Sequence, residues 1–70
     1  QGLLFFETDN SFVENVTSKG NIHNIYSSFS NNNTFLDLIL EQGGSYNLYL
    51  EDSYYNFLEN ISSIDSVNGI

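Results

Sequence analysis

An all-β chain wound as a parallel β-helix, a β-solenoid of about three rungs, is the fold the sequence predicts, and three observations carry that expectation. Similar stretches open on Phe12, Phe35 and Phe57, which lie 23 and 22 residues apart. The segments between them are short and rich in aromatic, β-branched or alternating apolar residues. Asn, Ser and Gly gather at the same phase of each stretch, where a tight bend needs them. A period near 22 made of short strands and polar corners describes one structural unit stacked on copies of itself.

Taken in order, Leu3-Leu4-Phe5-Phe6 is the first strand, and Asn10-Ser11 the first corner. Phe12-Val13-Glu14 and Val16 follow, and Gly20 supplies a positive φ before Asn24-Ile25. The tract Ser30-Asn31-Asn32-Asn33 is the next corner. It leads into Phe35-Leu36-Asp37-Leu38-Ile39-Leu40, and Gly43-Gly44 then turns the chain into Tyr46-Asn47-Leu48-Tyr49-Leu50. Tyr55-Asn56 repeats the corner before Phe57-Leu58-Glu59 and Ile61, and the chain closes on Gly69-Ile70. A helix over Tyr54–Ile64 is the weaker reading, because its repeat partner Phe35–Leu40 has a strand pattern. The rungs fall at roughly 1–9 (partial), 10–32, 33–54 and 55–70, in one unit without a linker. Stacking at ~4.8 Å per rung puts equivalent residues in columns. The expected core columns are Phe12/Phe35/Phe57, Val16/Ile39/Ile61 and Leu3/Ile25/Leu48/Ile70.

Composition narrows the function. Nine acids against the lone Lys19 give a formal charge of −8, and there is no Arg. Nucleic acid and anionic lipid both need clustered cations, so neither is a partner. Without Cys there is neither a disulfide nor a thiolate metal site. No run of ~18 apolar residues is present to insert in a membrane. The start at Gln1, without Met or an apolar leader, suggests a processed protein or a piece of a longer one. A 70-residue chain buries little core by itself, so stacking on neighbours is the expected source of stability.

The segment Asn10–Thr17 has the wording Asn-x-Phe-x-Glu-Asn-Val/Ile-Thr/Ser, and Asn33–Ile39 and Asn56–Ser62 approximate it, with Asn24-Ile25, Asn47-Leu48 and Gly69-Ile70 closing the three stretches. This resembles the right-handed parallel β-helix repeats of NosD-type and related surface proteins, over essentially the whole chain. The resemblance implies a β-helix fold and an extracellular or cell-surface setting, in a family some of whose members bind or process polysaccharide. It specifies no activity. The family's many rungs and capped ends are a point of departure, since three rungs and no cap are legible here.

Four sets of residues are candidates for chemistry. Glu14, Asp37 and Glu59 form an expected carboxylate column, either a Ca²⁺ site shared between rungs or a solvated acidic stripe. Asn15, Asn32 and Asn60 head three N-glycosylation sequons at or beside corners. Tyr26 and Tyr49 share a column, with Tyr46, Tyr54 and Tyr55 near by; they form a sugar-stacking surface or brace the solenoid. His23 stands alone, without a repeat partner of like chemistry, and is expected on the surface or at a corner. No Ser/His/Asp grouping or basic partner for paired acids supports catalysis, so the chain is expected not to be an enzyme. The leading expectation is a structural subunit of an extracellular fibre or sheath, a homo-oligomer self-assembling head to tail. The alternative is a polysaccharide-binding segment of a larger surface β-helix protein.

Overall fold

The computed structural model describes Gln1–Ile70 and contains seven strands and no helix, so none is long and apolar enough to cross a membrane. The strands are β1 (Leu3–Phe6), β2 (Phe12–Glu14), β3 (Thr17–Lys19), β4 (His23–Ser28), β5 (Thr34–Glu41), β6 (Tyr46–Glu51) and β7 (Phe57–Ile64). They form two sheets, β1-β4-β6 and a second in which β5 carries β2 and β3 along one side and β7 along the other. Every strand pairing is parallel, and the chain passes back and forth between the sheets, β2 and β3 together making one visit to the second. The segment Tyr54–Ile64 is therefore strand from Phe57 onward, as its repeat partner is.

The turns show the repeat most clearly. Eleven non-glycine residues and Gly20 have positive φ, and they fall into four sets: Glu7/Phe29/Asp52, Asn10/Asn32/Tyr55, Asn15/Asp37/Asn60 and Gly20/Gln42/Asp65. In each set the spacing is 22 residues and then 23. A residue in the left-handed region reverses the local chain direction at the expense of backbone strain, which Asn and Gly bear best. Five of the twelve are Asn or Gly, and the rest show that register outranks residue preference.

The extra residue of the 23-residue spacing enters between Gln42 and Asn47. Ser45 and Tyr46 both donate a backbone N–H to the Ile22 carbonyl, so two residues answer one there. This sets the columns differently from the sequence expectation. Phe12 pairs with Thr34 and Thr34 with Phe57, while Phe35 pairs with Val13 and Leu58. Phe12 and Phe57 are accordingly exposed, at 62% and 54%, and Phe35 is fully buried. The second expected column shifts likewise: Leu38, not Ile39, pairs with Ile61, and Ile39 lies exposed between Thr17 and Ser62. A one-residue slip sends each side chain to the opposite face, which is the physical reason for both corrections.

Leu3, Ile25 and Leu48 are paired in register. Ile70 follows on beyond the Tyr46–Asn68 bridge and is 63% exposed, because no strand covers it. The buried apolar core is Phe5, Ile25, Phe35, Leu38, Leu40 and Leu48, with Phe5 and Phe35 in ring contact at 5.6 Å. Leu3, Val13, Val16, Leu50, Leu58 and Ile61 pack against it only partly buried. All of these partly covered residues lie on or beside the edge strands β1, β2, β3, β6 and β7, and none lies on the central β4 or β5.

Candidate functional site

Along β4, Ile25 and Ser27 point into the core, so Tyr26 and Ser28 alternate toward the outer face, while His23, out of phase with them at the start of the strand, reaches the same cluster through its ring contacts. The same alternation in β6 sets Tyr49 and Glu51 on that face. Register then does the assembly: His23 pairs with Tyr46, Tyr26 with Tyr49 and Ser28 with Glu51. The Tyr26 and Tyr49 rings stack with centroids 5.0 Å apart and planes 1° from parallel. Tyr46 meets Tyr49 edge to face at 4.7 Å, and His23 lies parallel to Tyr46 at 6.0 Å. His23 also contacts Tyr26 and Tyr49 edge-on, at 5.2 and 5.5 Å.

Glu51 ties the cluster together. Tyr26 and Tyr49 each donate a phenol O–H to its carboxylate at 3.3 Å, one to each oxygen. Ser28 Oγ donates to Oε1 at 3.5 Å. The Tyr26 phenol is held above its ordinary pKa, first by burial and then by the Glu51 charge; the Tyr49 phenol is raised first by that charge. Both rings therefore stay neutral hydrogen-bond donors to the acid rather than proton carriers. Sequence reasoning reaches the Tyr26–Tyr49 pair but misses Glu51. The available signal is positional, since Glu51 lies two residues beyond Tyr49 and hence on the same strand face.

His23 is not a corner residue. It opens β4, half-buried among the three tyrosines, and its Nδ1 is buried without a hydrogen-bond partner. Tyr54 and Tyr55 stand apart, exposed on the turn after β6. Stacking closes one face of Tyr26 and one of Tyr49, and Leu4 pairs with Tyr26 on its other side. Only Tyr49 keeps a face turned to the open edge. There Tyr46, Leu48, Tyr49, Leu50 and Ile70 line a shallow pocket of about 290 Å³.

The expected carboxylate column does not form. Glu14 pairs with Leu36 and Leu36 with Glu59, which places an apolar residue between the two acids. Asp37 stands instead in the turn set with Asn15 and Asn60, where Asn60 Nδ2 donates to its Oδ1 at 2.7 Å. No three His, Cys, Asp or Glu side chains are grouped to hold a metal ion. The sequon residues Asn15, Asn32 and Asn60 are all exposed, and each has a positive φ, Asn60 within β7.

Polar ladders run down the corners inside the fold. The Ser11 N–H donates to Asn33 Oδ1 at 2.8 Å, and the Asn33 N–H to Asn56 Oδ1 at 2.9 Å. A hydroxyl ladder stands beside it, from the Thr8 N–H to Ser30 Oγ and from the Ser30 N–H to Ser53 Oγ, both at 3.0 Å. Asn24 Nδ2 donates to Asn47 Oδ1 at 2.8 Å, and both side chains are fully buried. Each amide satisfies a turn N–H that has no strand partner, which is the chemical reason Asn recurs there. The chain thus presents a braced aromatic face, apolar ends and bonded corners. Compared with known proteins, it matches no family model, no curated protein and no solved structure.

Proposed function

We propose that the chain is a β-solenoid of three turns that serves as a structural subunit, stacking end to end into an extracellular fibre or sheath. The observation that carries the reading is the contrast between the middle and the ends. Inner residues of the second copy, among them Ile25, Phe35, Leu38 and Leu40, are at most 1% exposed. The counterparts of Phe35 and Leu38 in the first and third copies, Val13, Val16, Leu58 and Ile61, are only partly covered, whereas Leu48, the counterpart of Ile25, is buried with Ile70 following in its column. A fold whose core is complete only between two like neighbours gains stability from each added copy. The edges of β1, β2 and β3 at one end, and of β6 and β7 at the other, offer unpaired backbone groups to such a neighbour.

Three further facts support the reading. The shortest dimension of the molecule, 15 Å, accommodates three stacked layers, which span two spacings of ~4.8 Å, with Asn68–Ile70 opening a fourth. The resemblance to NosD-type repeats favours a surface setting, and exposed sequons would suit the sides of a fibre. The tyrosines, turned onto one another and onto Glu51, suit a bracing role better than a platform for sugars, which needs open ring faces. Electron microscopy and light scattering over a concentration series test the proposal. Unbranched filaments above a critical concentration are expected; a monodisperse monomer at every concentration would sink it.

A further inference from the structure

The interface between successive copies can be specified, given the stacking reading above. The geometry points to a head-to-tail junction in which the first copy of the repeat in one chain adds to the third copy of its neighbour in the register used inside the chain, making this junction the one place where carboxylates stack on carboxylates.

Four observations converge on that register. Phe12 and Phe57 are exposed at opposite ends of one outward column, with Thr34 between them. The junction brings Phe57 of one chain against Phe12 of the next, and each covers the other. Inside, Leu50 receives Phe5, Leu58 receives Val13 and Ile61 receives Val16, and all six are core-packed residues in the single chain. The ladders also continue. The Ser53 and Asn56 N–H groups have no protein acceptor, although their equivalents in the second copy donate to Ser53 Oγ and Asn56 Oδ1. The neighbour's Thr8 and Ser11 bring a hydroxyl to the two positions required. Finally, the pocket beside Tyr49 and Leu50 lies where the neighbour's Leu4-Phe5-Phe6 would enter. Asn68–Ile70 already hold the positions that Gln1–Leu3 hold in the first copy, so the incoming chain joins from Leu4 onward and its first three residues give way.

The charge pattern gives the junction a control. Within the chain no two carboxylates are ladder neighbours: Leu36 separates Glu14 from Glu59, Phe29 separates Glu7 from Asp52, and Ser28 precedes Glu51. Head-to-tail stacking removes those spacers, setting Glu59 beside the neighbour's Glu14 and Asp52 beside its Glu7. Like charges directly opposite on adjacent strands repel, and dissolved salt screens them. Assembly is therefore held back at low ionic strength and released as salt rises.

A charge-swap cycle tests this. Glu14 and Glu59 are exposed, so Glu14→Lys, Glu59→Lys and the double variant should all keep the fold, as circular dichroism will report. Each single change replaces repulsion with attraction across the junction, and should lower the critical concentration for filaments about fivefold or more at low salt. The double variant sets two cations together and should return to near the parent value, although its net charge is the smallest of the four proteins. Glu7→Lys with Asp52→Lys gives a second, independent cycle. A double variant that assembles more readily than either single one would mean that net charge alone acts, and would overturn the register while leaving filaments intact. Filaments unaffected by any of the changes would overturn it too. Absence of filaments from all four proteins at any salt concentration would remove the stacking reading itself, and this inference with it.

Discussion

Ser27 and Asn33 are both buried polar residues facing the interior, yet they should answer truncation in opposite directions. Asn33 accepts from the Ser11 N–H and donates to the Thr8 carbonyl at 2.8 Å each, so Asn33→Ala strands two half-buried backbone groups and empties a buried position. It should lower the free energy of unfolding by about 2–3 kcal/mol in a urea titration. Ser27 Oγ is buried with no partner, in a column between Phe5 and Leu50. Ser27→Ala removes an unsatisfied hydroxyl and should be neutral or stabilising by up to about 1 kcal/mol in the same titration. The aromatic face makes a pH prediction. Tyr26 and Tyr49 are both raised above the ordinary value of 10.0, so the unfolded chain releases these protons at lower pH than the folded one. The stability they contribute is present below that value and is lost as pH climbs through the raised one. Ultraviolet titration of the phenolates checks it, and Glu51→Gln should lower the Tyr49 transition toward the ordinary value. Asn33 and the tyrosines are legible in sequence because their chemistry recurs at a fixed phase. The unpartnered Ser27 is not, since only packing shows what surrounds a hydroxyl.

The turns decide the strands. Tyr55 has a φ of 58° and is 87% exposed, in the place that Asn10 and Asn32 take in the earlier copies. Its ring gains almost nothing from burial, while the left-handed backbone costs a non-glycine residue roughly 1–2 kcal/mol. Tyr55→Asn should therefore stabilise the fold by about 0.5–1 kcal/mol, because Asn tolerates that conformation through its local hydrogen bonds; a melt of the variant beside the parent would show it. The turn between β5 and β6 is the opposite case. A Cβ on Gly43 would collide with the Tyr46 carbonyl and Asn47 Oδ1, so Gly43→Ala must disturb the turn and weaken folding. That same turn explains where sequence reasoning failed. Aligning Phe12 with Phe35 puts the odd residue of the period before Phe35, whereas the structure takes it up at Ser45–Tyr46, just after Gly43-Gly44. The sequence held the correct cue in Asn15, Asp37 and Asn60 and in Asn10 and Asn32, which keep the observed spacing. Large aromatic residues draw attention in an alignment, but the small polar residues at turns obey the stricter geometry, because few residue types tolerate positive φ.

At the scale of the whole molecule, strand content, parallel order and the Leu3/Ile25/Leu48 column follow from periodicity, because stacked copies of one unit share one structure. The aromatic brace around Glu51 and the alternation of carboxylates with neutral neighbours appear only once register is known, since both depend on which residues stand opposite across strands. The two properties together describe parallel sheets with bonded sides and incompletely covered edge strands, the ends of the proposed stack. In the proposed stacking, neighbouring chains complete those ends while each keeps its own three turns. Mass per unit length of the filaments, taken by scanning transmission electron microscopy, tests this most directly. Three turns per chain require one chain per ~14 Å of filament, three strand spacings. One chain per ~4.8 Å would mean that each molecule lies flat in a single layer, and the stacked account would be wrong.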